Sequence, residues 1–304
     1  MRLRLALSVG LVAASAALVP ACGKTSGPAP LVTGQQGVDS IASDDFFVYW
    51  TVNTGALRRV SVDGGKVETL ATGAPGPSSI ALDATYVYWA AGDGTVSRVS
   101  KKGGSPTVLA QPGKVLSLAV DDSNVYFSDG DRVLSVSKDQ SATSANILAS
   151  GETNARNLQV STSIGKLFWA DDGGPLGIRE EAVQGGMPVA LLPESTPHSL
   201  ALAPTHVVWN EVATGAISAA TYDGGEVLNL GTVDPTEGLE AIVADEQNAY
   251  ISTDAGVVRA VPLNDGATPE VVVSGPQGAV KLAIDANNVY TANPTDGTVF
   301  VIAK

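Results

Sequence analysis

Few side chains in this 304-residue chain could do nucleophilic or acid–base chemistry near neutral pH. There are two histidines, His198 and His206, and one cysteine, Cys22. Histidine alone has an ordinary pKa close to neutral, so His198 is the candidate general base. No Gly-x-Ser-x-Gly stretch offers a nucleophile elbow, and no Cys/His cluster has zinc spacing. Gly23-Lys24-Thr25 has the ending of a phosphate loop, but the glycine required five residues earlier is replaced by Leu18. Calcium and magnesium need only oxygen ligands, and the chain holds 31 Asp and Glu against 18 Lys and Arg. No loop has calcium-loop spacing, so no cofactor is expected, with a carboxylate-held Ca²⁺ or Mg²⁺ left open. The net charge of −13 repels nucleic acid and anionic lipid.

The elements that must position these residues repeat. An aromatic-centred pair recurs at Tyr49-Trp50, Tyr88-Trp89, Tyr126-Phe127, Phe168-Trp169, Val208-Trp209, Tyr250-Ile251 and Tyr290-Thr291, at spacings of 39, 38, 42, 40, 42 and 40 residues. All four tryptophans share one repeat position. Each unit holds short alternating apolar runs separated by an Asp turn, a Gly turn and often a Gly-Gly turn, as in residues 79–110. That pattern is an antiparallel four-stranded meander. A period near 40 with four strands per unit specifies an all-β, seven-bladed β-propeller. First strands such as Ser79-Ile80-Ala81 carry a branched aliphatic residue on one face and small residues on the other. Small residues let strands crowd around the propeller axis.

The seventh unit stops after its third strand at Lys304. Pro30-Leu31-Val32-Thr33-Gly34 resembles the fourth strands Thr69-Leu70-Ala71-Thr72-Gly73 and Thr107-Val108-Leu109-Ala110. The N-terminal strand is therefore expected to complete the last blade and close the ring. Asp44, Asp83, Asp121, Asp245 and Asp285 share the turn before the second strand. Their expected role is to cap that turn by accepting bonds from backbone amides two residues on.

Arg2, Arg4 and the apolar run Leu5 to Val19, followed by small residues, form a signal peptide over residues 1–21. Val19-Pro20-Ala21-Cys22 resembles the bacterial lipobox. That resemblance implies a lipid on Cys22 and a chain held at the bacterial cell envelope, in the periplasm or at the cell surface. A lone cysteine makes no internal disulfide. Residues 22–29 are rich in Gly, Ser and Pro and read as a flexible tether. Residues 30–304 form the propeller as one domain.

Tyr49-Trp50-Thr51, Tyr126-Phe127-Ser128-Asp129 and Phe168-Trp169-Ala170-Asp171 resemble the YWTD repeats of extracellular receptor propellers, a family that usually closes with six blades rather than seven. The resemblance implies an architectural role for Asp129 and Asp171. The repeat is also similar to bacterial secreted propellers of the NHL and streptogramin-lyase kind.

Propellers bind and catalyse at the face where first strands begin. The residues reaching that face here are Asp39, Arg156, Asn157, His198, Glu240 and Lys281, joined by loop residues Asp93, Asp131, Asp172, Glu211, Asp254 and Asp296. Arg156, Asn157 and Lys281 break the small-residue pattern, and the fourth unit is the most irregular. His206 takes a strand position held elsewhere by Phe47, Tyr86 and Asn124, so its expected role is structural. The expected function is a lipid-anchored extracytoplasmic scaffold, monomeric, binding a protein or glycan partner at the envelope. The alternative is a metal-dependent lyase or lactonase, streptogramin-lyase-like, using channel-face carboxylates and His198.

Overall fold

The computed structural model describes residues 29–73, 76–139, 144–171, 173, 177–274 and 281–304. The expected signal peptide, Cys22 with the expected tether up to residue 28, and Asp172 lie outside the described residues. The rest forms seven four-stranded antiparallel sheets. Blade 1 contains Val38–Ser43, Phe47–Val52, Ala56–Ser61 and Glu68–Ala71. Its successors have first strands Ser79–Leu82, Ser117–Val120, Ala155–Ser161, Ser199–Leu202, Leu239–Ala244 and Lys281–Ile284. Each first strand touches the first strands of both neighbours, and that of blade 7 touches that of blade 1, so the ring closes.

Blade 7 is completed by Ala29–Val32, one residue ahead of the expected boundary, pairing antiparallel with Val299–Ala303. The ring is therefore fastened by strand hydrogen bonds between the two ends of the domain. An open first-to-last blade interface would have exposed an apolar sheet face.

The core is divided into layers between blades. Val48, Trp50 and Val60 of blade 1 pack on Ala283, Tyr290 and Ala292 of blade 7. Trp169 of blade 4 packs on Ala119, Tyr126 and Val133 of blade 3. All four tryptophans are buried. Gly64 and Gly65 turn the third strand of blade 1 into the fourth with φ of 83° and 111°, a backbone region that favours glycine.

The repeated aspartates cap their turns as expected and also do more. Asp44 Oδ1 accepts from the amides of Phe46 and Phe47 at 2.9 and 2.8 Å, while Oδ2 accepts from Tyr49 Oη at 3.1 Å. The same Oδ2 meets Lys101 Nζ of blade 2 at 2.7 Å. Lys138 of blade 3 likewise reaches Asp83 of blade 2, and Lys304 of blade 7 reaches Asp245 of blade 6. The turn cap thus becomes a latch between blades. In blade 5 the latch position holds Tyr222, which stacks on Phe168 of blade 4.

Asp129 and Asp171 are architectural. Asp129 accepts from Arg132 through backbone and side chain. The buried Asp171 accepts from the Thr153 and Asn154 amides and the Thr153 hydroxyl.

Candidate functional site

First strands run outward from a common starting face, so the side chains at their starts converge around the axis. Leu116, Asn154, Arg156, Asn157, His198, Ser199, Glu240, Ala241 and Lys281 line a recess of about 380 Å³ there. Five of the six residues expected at this face therefore surround one cavity. The sixth, Asp39, lies on the first strand of blade 1, where it interacts electrostatically with Lys281.

Blade 4 forms one wall through a local distortion. Asn157 has φ of 52°, the one non-glycine residue with positive φ among those described. Asparagine tolerates this left-handed conformation better than most residues. The pairing register shifts between Arg156 and Gln159. The distortion aims Asn157 Nδ2 at the His198 carbonyl of blade 5, 2.7 Å away. Leu158 N then donates to Ser117 Oγ of blade 3 at 2.7 Å. One bulged strand thus ties blades 3, 4 and 5 together at the mouth. His198 is held by its own amide, which donates to the Asn210 carbonyl at 2.8 Å. Ser199 N donates to Asn210 Oδ1 at 3.0 Å.

The opposite wall is charged. Burial pushes the Glu240 carboxyl up, and the neighbouring Asp254 adds to that, while Lys281 opposes it. Glu240 and Asp254 share a hydrogen bond, in which the protonated acid donates. Burial also raises Asp39, against the attraction of Lys281. Lys281 therefore stands between two carboxyl groups that resist ionisation. In a partly buried mouth such charges act more strongly than they would in water.

A second recess of about 240 Å³ shares Arg156 and His198 and extends past Asp171, Ser195, Thr196, Pro197, Val212 and Ala213. The two form a path from the axis toward the edge between blades 4 and 5. Sequence reasoning missed Asn154 and the Ser195–Pro197 segment, because both lie in connections between blades where the repeat gives no register.

Among the described residues no three His, Cys, Asp or Glu side chains converge as metal ligands would. His206 begins the second strand of blade 5 beside Thr205, whose Oγ1 lies 2.8 Å from its Nδ1. It is remote from the mouth, at the other end of the blade's first hairpin.

No family model and no curated protein sequence matches this chain. Solved structures do. The chain is similar to the WD40 β-propeller domain of Doa1, at 17% identity and a TM-score of 0.74 over 91% of this chain and 96% of that one. A chain of the Mitotic Checkpoint Complex aligns over 99% of both, at 12% identity and a TM-score of 0.74. A chain of the Nidogen/Laminin Complex aligns over 72% of this chain and 89% of that one, at 20% identity and a TM-score of 0.57. At identities this low, these likenesses show a shared propeller fold and nothing of role.

Proposed function

We propose that this chain is a lipid-anchored, extracytoplasmic scaffold that binds a protein partner through the recess at the channel mouth. The carrying observation is the convergence of Arg156, Asn157, His198, Glu240 and Lys281 around one preformed cavity. A rigid ring fixes these groups before a ligand arrives, which lowers the ordering cost of association. The mouth presents both charge signs, with Arg156 and Lys281 against Glu240, Asp254 and Asp39. Such an arrangement suits a polar, charged segment projecting from a folded partner, with charge pattern setting specificity. Two of the similar propellers come from structures named as complexes. The acidic net charge disfavours nucleic acid as the partner.

The test is affinity capture of the full chain from detergent-solubilised envelopes. Wild type is compared with an Arg156→Glu/Lys281→Glu variant and with Asp63→Lys on the opposite face. The proposal expects a stoichiometric protein partner that is lost with the mouth variant and kept with Asp63→Lys. A partner equally retained by both variants would overturn it.

A further inference from the structure

We infer that the face of the propeller opposite the channel mouth rests on the membrane surface, with Phe46, Ile164 and Met187 entering the lipid interface, so that the mouth opens away from the membrane. This rests on the lipid anchor of the proposed function.

The first observation is where the domain begins. Ala29 pairs with Val301 and Val32 with Val299, so the closing strand starts toward the Ala303 end of its partner. Ala303 in turn pairs with Asn288, and Lys304 N bonds to the Asn287 carbonyl, at the first hairpin of blade 7. Lys281 pairs with Ala292 at the other end of that blade. The strand later reaches the mouth side, where Gln35 N bonds to Gly297 O and Gly37 N to Pro294 O. Chain arriving from Cys22 therefore joins the fold on the hairpin face, at the outer edge of blade 7.

The second observation is reach. Six residues lie between Cys22 and Ala29, and the seven Cα-to-Cα steps this makes span at most about 25 Å when fully extended. The five-residue strand Val299–Ala303 alone covers about 17 Å, before the turns at either end are added. Placing the mouth against the membrane would stretch the tether along the whole blade height. Placing the hairpin face there needs no extension.

The third observation is independent of the tether. Large apolar residues exposed in turns, rather than in strands, concentrate on the hairpin face. Phe46, in the first hairpin of blade 1, is 70% exposed. In blade 4, Ile164 of the first hairpin is 45% exposed and Met187 of the third-to-fourth-strand turn is 86% exposed. The mouth side offers only Val212 among the described turn residues of this class, at 36%. Blade 1 adjoins blade 7, where the tether arrives, and blade 4 stands across the ring. Contacts at both places hold the disc flat. The acidic chain disfavours anionic headgroups, so the surface that fits is a zwitterionic one entered by apolar side chains.

Lipidation would consume the only cysteine, so an introduced cysteine would be the sole free thiol. Full-length Met187→Cys and Val212→Cys chains, labelled with a fluorophore, are reconstituted into phosphatidylcholine vesicles containing a headgroup-region spin-labelled lipid. The inference expects quenching at position 187 at least about twice that at position 212, reduced when Phe46→Ser and Ile164→Ser are added. Quenching equal at both positions, or stronger at 212, would overturn it. Mass spectrometry of the same samples reads the anchor separately. A lipidated chain quenched at 212 sinks the orientation and keeps the anchor. An unlipidated chain sinks the anchor; its Cys22 thiol would then take the label too, so the readout is repeated with Cys22→Ser added, and vesicle binding with quenching at 187 would still uphold the surface.

Discussion

Lys101 Nζ of blade 2 lies 2.7 Å from Asp44 Oδ2 of blade 1, and the Arg59 guanidinium of blade 1 donates back to the Lys101 carbonyl. The two blades are thus joined in both directions at one residue. The exchange recurs one blade on, where Lys138 binds Asp83 and Arg98 Nη1 donates to the Lys138 carbonyl at 2.8 Å. Each lysine also lies over the tyrosine of the blade it reaches, 5.5 Å from the Tyr49 ring centre and 5.0 Å from that of Tyr88. Where blade 5 lacks the aspartate, having Ala203 at that position, blade 6 has Leu263 in place of the lysine. Acid and base are absent together there, so neither is left unpaired.

Lys138→Met should lower stability by about 1.5–3 kcal/mol, the range for a hydrogen bond to a charged group. The Lys138 and Asp83 side chains are 10% and 22% exposed, which places the pair between surface and core. A loss of that size moves the melting midpoint by roughly 2–4 °C per kcal/mol in a domain of about this size. Thermal unfolding of wild type and variant measures it, and identical midpoints would show that the latch contributes nothing.

The same pair sets an acid limit. Burial alone would raise the Asp83 carboxyl, but hydrogen bonds from Lys138, Tyr88 and the Tyr86 and Thr85 amides outweigh it and hold the pKa down to about 2. The folded value lies below the ordinary 3.8. Its stabilising contribution is therefore complete above the unfolded value and is lost as pH falls toward about 2. Denaturant unfolding should show Asp83→Asn clearly weaker than wild type near pH 6, with the gap closing between about pH 4 and 2. A gap independent of pH would assign the loss to packing.

Glu181 should be destabilising. Its strand position is held by Val60, Val99, Val136, Ala220, Val261 and Ile302 in the other blades, all facing a neighbouring blade. Glu181 is 3% exposed, with Oε2 lacking a hydrogen-bond partner. Burial pushes its carboxyl up, and nearby Glu152 adds to that against the attraction of Arg179. A raised folded pKa favours the protein below the unfolded value and weakens it as pH rises through the folded one. Glu181→Val should therefore melt higher than wild type at neutral pH, by about 1–4 kcal/mol of stability, with the advantage shrinking near pH 4. Arg179 keeps its ion pair with Glu152, 3.1 Å away. A lower melting point for the variant would show that Glu181 holds Arg179 in place.

The repeat made the fold legible because strand alternation and turn chemistry recur on one ruler. Seven chances to read the same pattern outweigh the irregularities of blade 4. Arg156, Asn157 and Lys281 were readable at strand starts because they break a pattern of small residues. What stayed hidden is pairing across blades. Lys101 and Asp44 lie 57 residues apart, and no local rule joins them until the ring places successive units side by side. Glu181 was readable in principle. Glu180 and Glu181 are consecutive within a strand, and alternation sends one of any such pair inward.

Trp89→Ala should cost on the order of 3–5 kcal/mol, the range for a buried large aromatic. Trp89 is 3% exposed and packs with Tyr49, Leu57 and Leu70 of the preceding blade. Its cavity would open between blades, so the loss should appear as reduced cooperativity as well as a lower midpoint. An unchanged midpoint would mean that the blade interface closes over the vacancy.

Asn157 separates backbone strain from contact. Its φ of 52° is unfavourable for most residues, by roughly 1–2 kcal/mol for an ordinary side chain. Its amide also joins blade 4 to blade 5 through the His198 carbonyl. Asn157→Gly frees the backbone and removes only the amide bond, a loss of about 1 kcal/mol. Asn157→Ala removes the bond and adds the strain, so it should melt lower than the glycine variant by several degrees. Midpoints from one thermal series rank the three chains. If alanine and glycine melt together, the left-handed turn relaxes on substitution, and the wall of the mouth is more pliable than its hydrogen bonds indicate.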